Sequence, residues 1–421
     1  MYQVSQLERG LHVATVSMPH MKSVSVGVWV ATGSRYEPPA LNGVCHFIEH
    51  LLFKGTRRRS ARQISQAVEG IGGYLNAYTS EEVTCFHARA CHSRLRELVD
   101  VLMDMLLNSR FDPGDIVKER EVIKEEISMY LDEPQHQVQE LLNATLWPDQ
   151  PLGRPITGTS ETLDAMGRSE LLGFLERYYV ARSAIVVASG NVRHGQLLRA
   201  VTPFAKRFHN GLRPSFTAAQ DGQTAPVVNL ATKKTEQTQI ALGIRGCSRH
   251  DSCRFAMRLL NTILGENMSS RLFQVIREDR GLAYSIYSSP SFFADTGDLV
   301  ISAGLDTENL EKVIRLIIAE LRRIKEKGPT RSELRQARDY VIGQIELGEE
   351  NSESQMNWVG EQLAGYGRII RPAELKRRIR AVTGGEIRAV ACELFRPNRL
   401  NLAMVSPLRH VNGVRRALER L

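Results

Sequence analysis

Two histidines and a glutamate fall within five residues, in the stretch His46-Phe47-Ile48-Glu49-His50. Side chains four residues apart project from the same side of an α-helix, so His46 and His50 can share one Zn²⁺ through their ring nitrogens. At about 100° per residue, Glu49 lies close to both of them. A carboxylate in that position can take a proton from a water molecule beside the metal, which is what metal-assisted hydrolysis requires.

The residues around this motif are apolar. From Val44 to Phe53 every side of the predicted helix is apolar except the arc that carries the three polar residues. A helix that is apolar all round is typical of a protein interior, where unpaired histidine and glutamate side chains would be costly. A buried hydrogen-bonded cluster is the alternative interpretation. A metal ion resolves the cost more completely, and we therefore favour a metal site.

A catalytic zinc site needs a third protein ligand, and the best candidate is Glu126. Asp112-Pro113 reads as a helix N-cap followed by proline at the first helical position, and it predicts a helix over 113–131. Glu119 and Glu126, seven residues apart, fall inside the apolar arc of this helix, which is formed by Ile116, Val122, Ile123, Ile127 and Tyr130. Two glutamates tolerated at the edge of an apolar face are the alternative. Their alignment in a chain that also carries H-x-x-E-H favours metal chemistry.

At these residues the chain resembles the pitrilysin-type zinc peptidases, whose signature is H-x-x-E-H, the reverse of H-E-x-x-H. It is most similar to the branch that includes the mitochondrial processing peptidase and its bacterial relatives. The similarity covers nearly the whole chain. It is carried by the segments Gly43–Thr56, Gly72–Thr79, Glu119–Ile127, Ser269–Phe273 and Arg277–Ser285.

The resemblance implies a role for each residue that matches a family motif. It makes His46, His50 and Glu126 the ligands of one Zn²⁺ per chain and Glu49 the general base. Glu119 corresponds to a carboxylate that supports the ligands.

For substrate binding, the resemblance implies that an extended peptide pairs with a strand at Asn76 and Ala77. It also implies that Arg277 and Tyr284 of the second domain grip the peptide backbone. From the residues alone, a plain hairpin strand, an exposed arginine and a core tyrosine would be the simpler interpretations.

The chain repeats one order of elements. Strands, the helix near 43–54 and the helix over 113–131 have counterparts after residue 227, including helices over 251–264, 269–279 and 330–349. Matching Ile127 to Ile345 places Gln344 opposite Glu126 and Ala337 opposite Glu119, so only the first half can hold the metal.

We therefore predict an α+β fold with two homologous domains, each an antiparallel sheet with helices packed on one face, in a clamshell arrangement. The zinc-binding catalytic domain is predicted over 1–212. A linker over 213–226, rich in Gly, Pro, Ser, Thr and Gln, precedes a related substrate-contact domain without metal ligands over 227–421.

Composition is that of a globular enzyme, with 42% hydrophobic and 24% charged residues in 421. There is no run of about 18 apolar residues, so no membrane span is expected.

The N-terminal residues have no charged region followed by an apolar stretch, which excludes a secretory signal and predicts a cytoplasmic protein. The net charge of +8 is scattered, and no basic face with groove-reading elements indicates nucleic-acid binding. Six cysteines without C-x-x-C spacing predict free thiols.

The sequence thus predicts a zinc metalloendopeptidase that hydrolyses extended, unfolded peptides inside an enclosed chamber, in the manner of a processing peptidase. One alternative is an inactive subunit that serves as a scaffold or binds peptides, which the intact His46, Glu49, His50 and Glu126 disfavour. Another is an active enzyme that needs an unlike partner chain. Arg277 and Tyr284 in the same chain favour a homodimer.

Overall fold

The computed structural model describes residues 2–421, and its chain forms two compact units. The first unit comprises Met1–Ile127, Arg154–Thr217 and Glu346–Ile369, and the second comprises Ser128–Gly153, Ala218–Ile345 and Ile370–Leu421. Each unit is built on one sheet. The strands are β1 Tyr2–Gln6, β2 His12–Ser17, β3 Ser23–Val30, β4 Tyr74–Thr79, β5 Thr84–Cys91 and β6 Ala184–Gly190 in the first sheet, and β7 Val227–Thr232, β8 Thr238–Gly246, β9 Ser285–Phe292, β10 Gly297–Leu305 and β11 Leu400–Ser406 in the second.

Fifteen α-helices accompany these sheets in the described part of the chain. They are α1 Val44–Leu52, α2 Ala61–Glu69, α3 Leu95–Asn108, α4 Pro113–Asp132, α5 Pro134–Leu146, α6 Ser160–Ala165, α7 Arg168–Tyr178, α8 His194–Ala205, α9 Arg254–Asn261, α10 Leu310–Lys327, α11 Arg331–Glu349, α12 Ser352–Tyr366, α13 Pro372–Ala381, α14 Gly384–Leu394 and α15 Asn412–Leu418. Two π-helical segments, Thr262–Glu266 and Phe273–Glu278, lie in the second unit.

The two sheets share one topology. The first has the strand order β1-β2-β6-β3-β5-β4 and the second has the order β7-β11-β8-β10-β9, so that only β1 lacks a counterpart among the described strands. Neighbouring strands are antiparallel except for one parallel pair in each sheet, β2 with β6 and β7 with β11. The α+β fold with two related sheets is therefore confirmed, and each sheet is mixed, with one parallel pair, where a purely antiparallel one was predicted.

Each sheet carries helices on both faces. In the first unit, valines of β3 point to one face and form the main core with α1, α3, α7 and α8. Trp29 of the same strand points to the other face and packs against Met356 and Val359 of α12. A side chain at Gly27 or Gly360 would overlap the Trp29 ring, so two glycines make room for the indole. The prediction that helices pack on only one face of each sheet is therefore wrong for the second face.

The helix on the second face comes from the other half of the chain in both units. α12 packs on β3 and β6 of the first sheet, and α5 packs on β8 and β11 of the second. Neither helix was predicted. The domain boundaries at 212 and 227 divide the chain into consecutive halves and remain a prediction. The compact units differ from these halves, because each contains one helix from the other half of the chain.

Candidate metal and catalytic site

The helix that carries the H-x-x-E-H motif is set into the core of the first unit. Val44, Cys45, Phe47, Ile48, Leu51 and Leu52 of α1 are all buried, which leaves only His46, Glu49 and His50 on its remaining side. Gly43 precedes the helix with φ +93°, a conformation that favours glycine. A Cβ atom there would also lie 2.6 Å from the Thr157 carbonyl oxygen. The sequence thus fixes both where α1 begins and which side faces the site.

Helix α4 brings Glu126 to the two histidines. Its N-terminus is capped as predicted, because the Asp112 carboxylate accepts a hydrogen bond from the Gly114 amide. Glu126 Oε2 lies 3.8 Å from His46 Nε2 and 3.6 Å from His50 Nε2. One donor atom from each of the three residues lies within 4.8 Å of the other two.

Glu119, one heptad earlier on α4, is buried and contacts the opposite edge of the His50 ring. Its Oε2 lies 3.2 Å from His50 Nδ1, and its Oε1 lies 2.7 Å from the Lys54 Nζ atom. A carboxylate on Nδ1 makes that nitrogen the proton donor and leaves Nε2 free to bind a metal. Glu119 and Lys54 therefore fix the orientation and tautomer of His50.

Glu49 points to the same site and is held from the sheet. Thr79, the last residue of β4, donates a 2.5 Å hydrogen bond to Glu49 Oε2. Burial raises the pKa of Glu49, and the Thr79 hydrogen bond opposes this shift. A carboxylate with a raised pKa in a buried polar site is well suited to accept and return a proton.

The donor set fits a zinc ion. Burial, together with the neighbouring His50, lowers the pKa of His46, and Glu126 only partly opposes this. His46 is therefore neutral at pH 7, and a neutral imidazole is the form that binds metal. Two imidazoles and one carboxylate with a further position left for substrate or water are typical of catalytic zinc sites. In the described part of the chain, no other group of three His, Cys, Asp or Glu residues is placed to hold a metal.

Comparison with known proteins gives matches along most of the chain. Residues 12–160 match the family described as Insulinase (Peptidase family M16), and residues 165–341 match the Peptidase M16 inactive domain. An uncharacterized zinc protease of Streptomyces coelicolor is 38% identical over 96% of this chain and 89% of its own length. The chain belongs to peptidase family M16. This confirms the pitrilysin-type resemblance.

A second relative and two solved structures are also similar to this chain. An uncharacterized zinc protease of Bacillus subtilis is 35% identical over 95% of this chain and 97% of its own. A crystal structure of a protease from Helicobacter pylori superposes with a TM-score of 0.90 at 20% identity, covering 97% of this chain and all of that one. A crystal structure of a peptidase M16 inactive domain from Pseudomonas fluorescens superposes with a TM-score of 0.88 at 17% identity, covering 97% of this chain and 98% of that one. At these identities the structural matches establish the fold.

In this M16 chain the predicted peptide-binding strand lies beside the site. β4 is an edge strand of the first sheet, packs against α1, and ends at Thr79, which contacts Glu49. Asn76 is exposed on this strand, and its side-chain oxygen accepts a hydrogen bond from the Ala77 amide. Asn76 and Ala77 therefore lie on the edge strand whose last residue contacts Glu49.

Arg277 and Tyr284 lie next to each other in the second unit. The Arg277 guanidinium is 4.8 Å from the centre of the Phe273 ring and 5.9 Å from that of Tyr284. The Tyr284 side chain is 76% exposed, so the interpretation of Tyr284 as a core residue is wrong. Arg277 belongs to a π-helical segment, a form that is frequent at functional sites.

Two supporting residues were not predicted from the sequence, namely Lys54 and Thr79. Both lie inside the segments that carry the family resemblance, so a signal for them was present. One apolar residue was also misplaced. Val122 was assigned to the buried arc of α4, yet it is 48% exposed at the edge of that arc.

No helix among the residues that the structure describes has the length and apolar character needed to cross a membrane.

Proposed function

We propose that this M16 chain is a zinc metalloendopeptidase that hydrolyses extended, unfolded peptides. The observation that carries the proposal is the convergence of His46, His50 and Glu126 within 4.8 Å, with Glu49 on the same side of α1. The relatives from Streptomyces coelicolor and Bacillus subtilis are named zinc proteases, which supports the same activity. One Zn²⁺ per chain is expected, because the described residues offer a single set of ligands.

His46, His50 and Glu126 would hold the metal, and its chemistry there is to polarise the scissile carbonyl as a Lewis acid. Glu49 takes the proton from the attacking water and returns it to the leaving amine. Thr79 holds Glu49 in place for both transfers, and Glu119 holds His50. Each of these residues therefore has a separate task in the same step.

The edge strand β4 supplies the proposed substrate contact. An extended peptide that adds to this strand would be held through its backbone, which gives affinity with little demand on side chains. Such binding requires a substrate without its own secondary structure. We also assign substrate contact to Arg277 and Tyr284, on the basis of the motif match and the exposure of Tyr284.

The family resemblance further supports a chamber that encloses the substrate, a processing-peptidase-like preference for unfolded segments, and assembly as a homodimer. A cytoplasmic location is supported by the six cysteines, all of which are free thiols.

The test compares two substrates with the full-length, zinc-loaded protein. A flexible peptide of a few dozen residues should be cleaved, and cleavage should stop when a chelator removes the metal and resume when zinc is restored. A stably folded protein of similar composition should resist. Cleavage that is unaffected by metal removal would rule out the metallopeptidase assignment, and rapid digestion of the folded protein would rule out the requirement for an extended substrate.

A further inference from the structure

A buried glutamate lies at the start of the ligand helix. Glu37 is only 3% exposed. Its Oε2 accepts hydrogen bonds from the Gly43 amide at 2.8 Å and from the Asn42 side-chain amide at 3.0 Å, and its Oε1 accepts one from the Cys45 amide at 2.9 Å. Both carboxylate oxygens therefore bind backbone amides at the N-terminus of α1.

The N-cap residue of helix α1 makes no side-chain hydrogen bond of its own. Gly43 occupies the N-cap position and has no side chain to accept a hydrogen bond. The first-turn residues Val44 and Cys45 are fully buried, so water cannot replace a missing partner. A carboxylate here also interacts favourably with the positive end of the helix dipole. Glu37 thus performs the N-cap role from outside the helix.

The two histidine ligands differ in how they are held. His50 has Glu119 on its Nδ1 atom. The Nδ1 atom of His46 is buried and has no hydrogen-bond partner among the described residues. Metal-binding histidines usually donate this second ring N–H to a supporting group. His46 must instead be oriented by its own backbone, and the preceding residue, Cys45, is the one that Glu37 fixes.

We propose that Glu37 is a positioning residue for His46, and that it acts through the first turn of α1 as Glu119 acts directly on His50. The proposal rests on the function proposed above. Glu37 touches neither substrate nor the proposed ligands, so its effect is carried by the backbone of residues 43–46.

The cost of keeping Glu37 in the interior supports a functional role. Burial raises the pKa of Glu37 to about 7, against the opposing effect of the Cys45 and Gly43 amides. Arg154 donates a 2.7 Å hydrogen bond to the Glu37 carbonyl oxygen and places a positive charge nearby. A carboxylate kept in a place that penalises its charge is more often functional than one on the surface.

The test uses Glu37→Gln, which preserves the shape of the side chain but offers one acceptor oxygen where the carboxylate has two. Two quantities are measured on the full-length protein: the zinc dissociation constant, by competition with a chelator, and hydrogen exchange of the amides at 43–47. We expect zinc affinity to fall roughly 10–100-fold, as for other groups that support a metal ligand. Exchange at 43–47 should become faster, and kcat should fall while KM stays within about twofold. Glu37→Asp, which keeps a carboxyl group with two acceptor oxygens, should recover part of each loss.

Asp104→Asn is the matched control. Asp104 is a fully buried carboxylate of the same unit, bound by Thr56 and Arg59 on the loop that follows α1. This variant should lower the unfolding temperature without weakening zinc binding. If Glu37→Gln binds zinc as tightly as the wild type, or loses no more affinity than Asp104→Asn, the proposal is wrong. Should Glu37→Gln not fold, Glu37→Asp is judged by the same comparison. A wild-type protein that binds no zinc would refute the proposed function instead, and protection of the 43–47 amides would still test the cap.

Discussion

Helices α4 and α11 occupy equivalent places in the two units but carry different chemistry. α11 begins 218 residues after α4 (331 − 113), and this offset places Ala337 and Gln344 opposite Glu119 and Glu126. In the first unit, both glutamates of α4 face histidines of α1. The helix at the place of α1 in the second unit, α9, contains no histidine.

In the second unit, the buried Glu320 and the half-buried Glu333 both lie against Arg271. Arg271 binds Glu333 through two hydrogen bonds of 2.7 and 2.9 Å and lies 3.9 Å from Glu320. The first unit also pairs buried carboxylates with arginines, as Asp104 with Arg59, so what distinguishes it here is that Glu119 and Glu126 face histidines. The difference teaches that the repeated architecture positions side chains but does not decide their chemistry, which depends on a few substitutions.

The largest effect is expected from substitutions at the equivalent positions Glu126 and Gln344. Glu126→Gln should lose zinc and reduce peptide cleavage by at least about 10³-fold, because an amide is a poor ligand and several kcal/mol of Lewis-acid stabilisation disappear. The reciprocal change, Gln344→Glu, is on an exposed position and should bind no additional zinc and change activity less than about twofold. Elemental analysis and a peptide assay measure both. Equal effects of the two variants would contradict the functional difference between the units.

The next prediction separates the general base from the metal ligands. Glu49→Gln should retain zinc and the fold but lose roughly 10²–10⁴-fold in kcat, because the amide cannot accept a proton from water. Metal content and kcat should therefore change independently in this variant, whereas they fall together in Glu126→Gln. A Glu49→Gln enzyme with near-normal turnover would remove Glu49 from the mechanism.

Much of the first unit could be predicted from the sequence because its signals are local. The spacing of His46, Glu49 and His50, and the heptad between Glu119 and Glu126, report one helix face each, and those helices were placed within two residues of their ends. What was missed depends on contacts distant in sequence. α5 and α12 cover sheets formed by the other half of the chain, and no local pattern indicates that destination.

The sequence also did not predict whether a helix has α or π hydrogen bonding. The predicted helix 251–264 overlaps the π-helical segment Thr262–Glu266, and the predicted helix 269–279 contains the segment Phe273–Glu278. Residue types predict helical periodicity but do not distinguish α from π hydrogen bonding. In the same way, Glu37 could not be recognised as a cap, because it reaches α1 from outside the helix.

A smaller effect is expected from the carboxylate that supports His50. Glu119→Gln should reduce zinc affinity or activity roughly 10–100-fold, because it weakens the hydrogen bond to Nδ1 without removing a ligand. Glu125→Gln, an exposed change on the same helix, serves as the control and should have almost no effect. Chelator competition measures both variants. An unchanged zinc affinity in Glu119→Gln would show that His50 needs no support.

The smallest effect concerns the stability of the second unit. Arg271 and the backbone amide of Thr330 lower the pKa of Glu333 to about 2, against the opposing effect of burial. A carboxyl group with a lowered pKa stabilises the folded state above its unfolded pKa, and this contribution is lost as the pH falls from about 4.5 to about 2. Its size is on the order of 1–3 kcal/mol. Glu333→Gln should therefore be less stable at pH 7, and its free energy of unfolding should depend less on pH in that range. An unaltered pH dependence in the variant would contradict this assignment.

The central claim is that one zinc site in the first unit performs the hydrolysis. Its most direct test measures zinc content together with peptide cleavage in the wild type and in His50→Ala. The account predicts about one zinc per wild-type chain, cleavage that a chelator abolishes and added zinc restores, and neither zinc nor cleavage in His50→Ala. Full zinc content and full activity in His50→Ala would contradict it.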